Sequence, residues 1–178
     1  MMADRPKAWP VPHDPAWAGR FVAAKHELQE ALGEVALAIH HVGSTAIPGI
    51  YAKPVIDVLI EATSLDALDQ RASAMRARDY VPRGEKGISG RRYYPKDDRE
   101  GVRTHHVHAF AKGSPHIERH LAFRDYLLAH RDVAARYCEL KRNILKDWRG
   151  LQDYIARKAS FVVETEARAL AWARAQDR

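Results

Sequence analysis

The sequence predicts an α+β domain: a mixed β-sheet flanked by helices, with a C-terminal helical bundle. Two observations carry that prediction. Residues 54–61 form a nearly continuous apolar run of strand length, and further β-patterned runs fall at 35–42, 80–83, 91–95 and 103–110. From Ser114 to the end, apolar residues instead recur at helical spacing. Strands and helices are thus partly segregated along the chain, which favours α+β over a doubly wound sheet.

The elements follow in order. Residues 1–14 hold Pro6, Pro10 and Pro12 and read as an extended lead-in to a single domain over 15–178. Trp17, Phe21, Leu28, Leu32 and Val35 recur at helical spacing, with Gly33 as the stop. A strand over 35–42 ends at Gly43, and a turn of small residues occupies 43–49. After the 54–61 strand, Ser64 caps a helix that buries Leu65, Leu68, Ala72 and Met75. Loops containing Gly84, Gly87, Gly90 and Gly101 separate the three later strands. Ser114-Pro115 starts the first of three C-terminal helices, with breaks near Arg131-Asp132 and at Gly150.

The 178 residues are 46% hydrophobic and 29% charged, which excludes collagen-like and disordered classes. No apolar run reaches membrane-spanning length, and Met1 to Pro6 precede no signal-peptide core, so a soluble, cytoplasmic protein without a membrane partner is expected. Cys138 is the single cysteine, excluding an internal disulfide and a cysteine-rich zinc site. The net charge of +6 is uneven: residues 1–75 carry −3, residues 76–120 carry +5 with five of the ten histidines, and residues 121–178 carry +4. A basic second half suits an anionic partner such as a nucleotide, a phosphorylated metabolite or nucleic acid; a solvated Arg-rich surface is the alternative.

The densest chemistry lies in His41-Val42-Gly43-Ser44-Thr45, followed by Lys53-Pro54-Val55-Ile56-Asp57 and Glu61. Glycine lets a backbone approach a phosphate closely, and neighbouring hydroxyls and N–H groups donate to its oxygens. A carboxylate inside an apolar strand is costly unless it is paired, hydrogen-bonded or bound to metal, which marks Asp57 as a metal ligand or the acceptor of a structural donor. Together these residues suit a metal–phosphate site.

These residues, His41-Val42-Gly43-Ser44-Thr45-Ala46-Ile47-Pro48-Gly49 with Ala52-Lys53-Pro54-Val55-Ile56-Asp57, resemble the GrpB family of the nucleotidyltransferase superfamily, the polymerase-β-like group. The resemblance continues in Arg103-Thr104-His105-His106-Val107-His108, in Phe123-Arg124-Asp125-Tyr126-Leu127-Leu128-Ala129-His130 and in Tyr137-x-x-Leu140-Lys141. It implies a nucleotidyltransferase-like fold in which Gly43, Ser44 and Thr45 hold the phosphates of a nucleoside triphosphate, ATP by expectation. Asp57 would be the catalytic metal-binding acid, with Mg²⁺ or Mn²⁺. The activity implied is transfer of a nucleoside monophosphate to an unknown small-molecule acceptor. Related domains are fused to dephospho-coenzyme A kinases, which implies a second reading, a non-catalytic helper domain.

The chain departs from the superfamily pattern two residues after Asp57, where an acid is expected and Leu59 stands. Glu61 shares their face but lies about 13 Å beyond Asp57 at roughly 3.3 Å per residue, too far to bind the same ion directly. His106 and His108 share a strand face and offer a third reading: with Asp57 they would form a two-histidine, one-carboxylate centre suited to Zn²⁺, Fe²⁺ or Ni²⁺. Lys53 would meet the triphosphate or neutralise Asp57, and His41 would orient Asp57 or phosphate, or make a structural hydrogen bond.

Arg91, Arg92 and Arg124 would balance phosphate charge, although strand alternation allows only one of Arg91 and Arg92 to line the cleft. Asp125 would fix the bundle by an ion pair. Lys141 and Lys158 read as solvated, and Phe161, Thr165, Ala169 and Trp172 as a core or dimer stripe. No residue stands out as a general base. Nucleic-acid binding is the least favoured reading, because RNA-recognition spacing and zinc-finger ligands are missing.

Overall fold

The computed structural model describes residues 9–176. The signal-peptide expectation and the first part of the lead-in fall on residues outside that range. Within it, Val11 exchanges two backbone hydrogen bonds with Ala52, tying the lead-in to the loop that carries Lys53.

Helix α1 (Ala16–Leu32) buries Trp17, Leu28 and Leu32 completely and ends, as its glycine predicts, at Gly33 with φ +57°. A single 3₁₀ turn leads into β1 (Ala36–Val42), and a second, Ser44–Ala46, follows Gly43. Strand β2 (Ile56–Ala62) is the apolar run of the sequence and buries Ile56, Val58, Leu59 and Ile60. Next come two short helices, α2 (Leu65–Gln70) and α3 (Ala72–Arg76), where one continuous helix was expected. Ser64 caps α2 by accepting from the Ala67 N–H at 3.1 Å, and the break falls at Arg71. Strands β3 (Arg91–Asp97) and β4 (Arg103–Ala111) complete the sheet. Helices α4 (Pro115–Ala129), α5 (Arg131–Lys146) and α6 (Leu151–Gln176) form the bundle, broken where the sequence placed the breaks.

The strand order is β1-β2-β4-β3, with β2 and β4 parallel and both outer pairs antiparallel. The α+β architecture is therefore the one observed. Residues 80–83 do not join the sheet as a strand. They run along the edge of β3, where Val81 N–H donates to Pro95 and Arg83 N–H donates to Tyr93, both at 2.9 Å. Pro95, opposite Val81, has no N–H to return, so a full ladder cannot form.

The sheet has two covered faces. Ile56, Val58, Ile60, Val107 and Tyr94 pack against α1 to α3. Val42, Leu59 and Phe110 point the other way, against Ile117 of α4. Asp57 alternates with Val58 and so lies on this second face, opposite Val42 of β1 and His106 of β4. Arg119 of α4 pairs with Glu166 of α6, and Arg174 of α6 with Glu118 of α4, clasping the bundle over that face. The Trp172 end packs within the chain, against the rings of Tyr126 and His130.

Candidate functional site

The turn after β1 sets the site. Gly43 adopts φ +70°, a left-handed conformation that a side chain disfavours. A Cβ there would lie 2.9 Å from both Cβ and Cγ of Asp57. Two separate demands, conformational and steric, therefore select glycine beside the carboxylate.

Asp57 opens into a cleft of about 250 Å³ between the 44–55 loop and helices α5 and α6. Ser44, Thr45, Lys53 and His106 line it from the loop and sheet side, and Lys141, Tyr154 and Lys158 from the helices. Burial works to raise the Asp57 carboxyl. The His108 ring, whose Nε2 lies 3.8 Å from Oδ1, together with His106 and Lys158, outweighs it and holds Asp57 below the usual carboxylate range. Burial lowers Lys53 and Lys158, each further depressed by a lysine neighbour or partly restored by Asp57. The cleft is thus a concave surface holding three lysines against one acid.

Lys141 and Lys158 were expected to be solvated, and the structure corrects both. Lys141 is 1% exposed. Its Nζ donates to Ser44 Oγ at 2.6 Å and to the Tyr51 carbonyl at 3.0 Å, and lies 3.9 Å from the centre of the Tyr137 ring. Burial, with Lys158 beside it, lowers its pKa to about 7. Lys158 Nζ sits 5.1 Å from the Tyr154 ring centre, and Lys53 Nζ 5.6 Å from the same ring. A signal for this was present in the sequence. Tyr137, Lys141 and Ile144 share one helical stripe, as Tyr154 and Lys158 do, and a lysine on an apolar stripe is a lysine aimed inward.

Asp57, His106 and His108 do come together, but not as the expected metal centre. His108 Nε2 is 3.8 Å from Asp57 Oδ1. Arg91 can only donate, so its contact to His108 Nδ1 at 3.3 Å makes that nitrogen an acceptor and leaves the ring proton on Nε2, facing Asp57. Neither nitrogen then offers a free lone pair to a metal. Tyr93 Oη meets His106 Nδ1 at 2.6 Å and receives a bond from Arg103 at 3.0 Å. Among the described residues no group of three or more His, Cys, Asp or Glu side chains is arranged to hold a metal ion. Leu59, at the position of the second acid, is fully buried against α4.

Other predicted site residues lie elsewhere. His41 alternates to the α1 side, stacks on Phe21 and hydrogen-bonds Thr45 Oγ1 at 2.9 Å; burial lowers its pKa to about 4, and its role here is structural. The Thr45 hydroxyl is correspondingly engaged, and Thr45 is 3% exposed. Arg91 faces the site side of the sheet but spends its other donors on the Glu85 and Lys86 carbonyls. Arg92 faces away and grips Asp69 of α2 with two bonds, at 2.6 and 2.7 Å. Arg124 bonds the His41 carbonyl and Asp125, joining α4 to β1 rather than reaching the cleft. Glu61, beyond Leu59, pairs in register with Phe110 and Ala38 and is absent from the cleft lining.

The profile described as GrpB protein matches residues 10–168. The chain belongs to the GrpB family. A crystal structure of conserved protein GrpB from Enterococcus faecalis superposes with a TM-score of 0.85 at 34% identity, covering 91% of this chain and 97% of that one. UPF0157 protein YqkA of Bacillus subtilis is 44% identical over 157 residues, which are 88% of this chain. A dephospho-CoA kinase of Mycolicibacterium paratuberculosis is 30% identical over 190 residues, covering 92% of this chain. The GrpB-family chain spans 45% of the length of YqkA and 46% of that kinase. A cytoplasmic RNA terminal U-transferase aligns with 74% of the chain at a TM-score of 0.47 and 10% identity, a likeness too loose to carry an argument.

Proposed function

We propose that the Asp57 cleft binds a nucleoside triphosphate with one divalent cation, and that the protein transfers the nucleoside monophosphate to a hydroxyl or phosphate acceptor, releasing pyrophosphate. The observation that carries this reading is the convergence of Lys53, Lys141 and Lys158 with Ser44 on a single carboxylate in one cleft. Concentrated positive charge beside a hydroxyl and a close-approach glycine suits a polyphosphate. Ile155, 46% exposed at the rim, offers an apolar face to a base.

The donor set fits Mg²⁺ or Mn²⁺: such hard cations use one or two carboxylates and complete their shell with phosphate oxygens and water. Asp57 would hold the ion, which supplies charge neutralisation at the phosphates when bound. Zn²⁺, Fe²⁺ or Ni²⁺ on His106 and His108 does not fit, because the Arg91 bond to His108 Nδ1 leaves the ring proton on its Nε2 and no three ligating side chains are grouped here among the described residues. Lys53 and Lys158 bind phosphate oxygens, Lys141 positions the Ser44 hydroxyl, and Gly43 keeps Asp57 against the turn.

Calorimetric titration of metal-stripped protein with ATP, GTP, CTP and UTP, each with and without Mg²⁺ or Mn²⁺, tests the reading. Metal-dependent binding that disappears in Asp57→Asn is the expected result, followed by pyrophosphate release in an acceptor screen. A folded sample that binds none of the four overturns it. Buried Leu59 favours a second reading, a nucleotide-binding helper domain that does not transfer; binding without pyrophosphate release against any acceptor supports that one.

A further inference from the structure

Ser44 and Lys141 are set in a geometry that phosphate binding alone does not require. Lys141 is 1% exposed and forms no ion pair among the described residues. Its Nζ has three neighbours: the Tyr51 carbonyl oxygen, the Tyr137 ring face and Ser44 Oγ. A neutral amine has two N–H groups and one lone pair. As an ammonium, Nζ donates to Ser44 Oγ and to the carbonyl and faces the ring; once one proton is lost, the two remaining N–H groups can serve the carbonyl and the ring, and the lone pair falls to the Ser44 hydroxyl. Ser44 is half-buried and opens on the cleft. A hydroxyl bonded to a buried amine beside an open, cationic cleft is the arrangement of an activated serine.

We propose that Ser44 is a nucleophile and Lys141 its general base, acting on anionic phosphorus electrophiles. The inference shares its cleft with the nucleotide reading and rests on that reading for its physiological substrate. With a nucleoside triphosphate, Ser44 Oγ attacks the α-phosphorus. The Oγ–P bond forms, the bond from that phosphorus to the bridging oxygen breaks, pyrophosphate leaves with the electron pair, and the Ser44 proton passes to Lys141 Nζ. An acceptor hydroxyl then attacks the same phosphorus, loses its proton to solvent and displaces Ser44 Oγ, which recovers its proton from Lys141. The pair thereby fills the place of the general base that the sequence leaves open.

Geometry and burial agree with the titration of Lys141, whose pKa stands at about 7. The groups facing it are Lys158, which depresses it further, Cys138 and Asp57, which act the other way, and the Tyr137 ring. It is therefore the amine of this cleft that gives up its proton most readily near neutrality.

A fluorophosphonate probe tests the pair without any nucleotide. Ser44 Oγ bonds to phosphorus, the P–F bond breaks, fluoride leaves, and the proton goes to Lys141. Intact-mass and peptide-mapping analysis of the folded wild type should find one adduct, on Ser44, forming faster as pH rises with a midpoint of about 7. Lys141→Arg, which retains its proton, and Lys141→Met should each slow the reaction on the order of 100-fold. Ser44→Ala should show no adduct, and circular dichroism confirms that each variant folds. An unlabelled wild type, an adduct on another residue, or a rate indifferent to both Lys141 variants overturns the proposal. The two readings separate cleanly. Nucleotide binding without labelling removes the nucleophile and keeps the nucleotide site, whereas labelling of Ser44 without nucleotide binding does the reverse.

Discussion

Gly43 and Asp57 stand in contact across the β1–β2 pair with no space for a side chain between them: a Cβ on Gly43 would sit 2.9 Å from two carbons of the aspartate. The carboxylate is held in place by an absence of atoms as much as by the neighbouring His108 ring. Gly43→Ala must both strain a backbone at φ +70° and push Asp57 aside. The substitution should cost about 1–3 kcal/mol of stability and abolish metal-dependent nucleotide binding. Urea denaturation and calorimetry check the two effects, and unchanged affinity in the variant would refute the placement of Asp57 at the ligand.

Lys141 makes stability depend on pH in a defined direction. Its pKa is about 7 in the fold and 10.5 as a free side chain. Between those values the unfolded chain binds the proton and the folded chain does not, so stability rises with pH across that window and is lost as pH falls toward 7. Lys141→Met removes this contribution. Relative to that variant, the wild type should gain about 2 kcal/mol between about pH 6.5 and about pH 9, measured by urea melts at both values. A parallel pH dependence in the two proteins would contradict the burial of a titrating amine.

Tyr93 connects Arg103 to His106. Arginine cannot accept, so Tyr93 Oη receives the Arg103 bond and its own proton is free for His106 Nδ1. With Oη as the donor to Nδ1, the ring proton of His106 sits on Nε2. Tyr93→Phe removes the only hydroxyl in this chain of bonds and should produce a mixture of His106 tautomers in ¹⁵N spectra. A stability loss of about 1 kcal/mol should accompany it. A single unchanged tautomer would show that Tyr93 does not set it.

Arg92 and Asp69 serve the opposite face of the sheet. Their pair is partly exposed, with Asp69 about half open to solvent, so a double-mutant cycle should return a coupling of about 0.2–1 kcal/mol. Nucleotide titration of Arg92→Ala should match the wild type. A large loss of affinity would mean that the face assignment is wrong.

Much of this was legible in the residues. β2 announced itself as an apolar run, Gly33 and Ser114 as helix punctuation, and Asp57 as a carboxylate that an apolar strand had to justify. What was hidden depended on direction and on tertiary partners. Period-two alternation states that Arg91 and Arg92 oppose each other but not which one meets the site, because that depends on which side the C-terminal helices cover. The spacing of His106 and His108 places both on one face, yet their ring nitrogens are assigned by Tyr93 and Arg91 on the neighbouring strand. Lys141 and Lys158 were misread because lysine is almost always at the surface. Their positions on the stripes of Tyr137 and Tyr154 were the contrary signal. The 80–83 segment has the composition of a strand, and Pro95 opposite Val81 denies it the ladder.

The cleft draws its parts from distant stretches of chain: the turn at Gly43 and Asp57 on β2 come early, Lys141 on α5 late, and Tyr154 and Lys158 on α6 later still. No contiguous fragment carries it. During synthesis the sheet can assemble around β4 while the wall that carries Tyr154 and Lys158 is still absent, and the cleft is complete only after α6 has emerged and docked on α4. A chain interrupted before α6 would keep its carboxylate, its glycine turn, Lys53 and Lys141 yet lack the wall that carries Tyr154 and Lys158. On the proposed reading, full ligand capture is therefore a property of a chain in which α6 has docked.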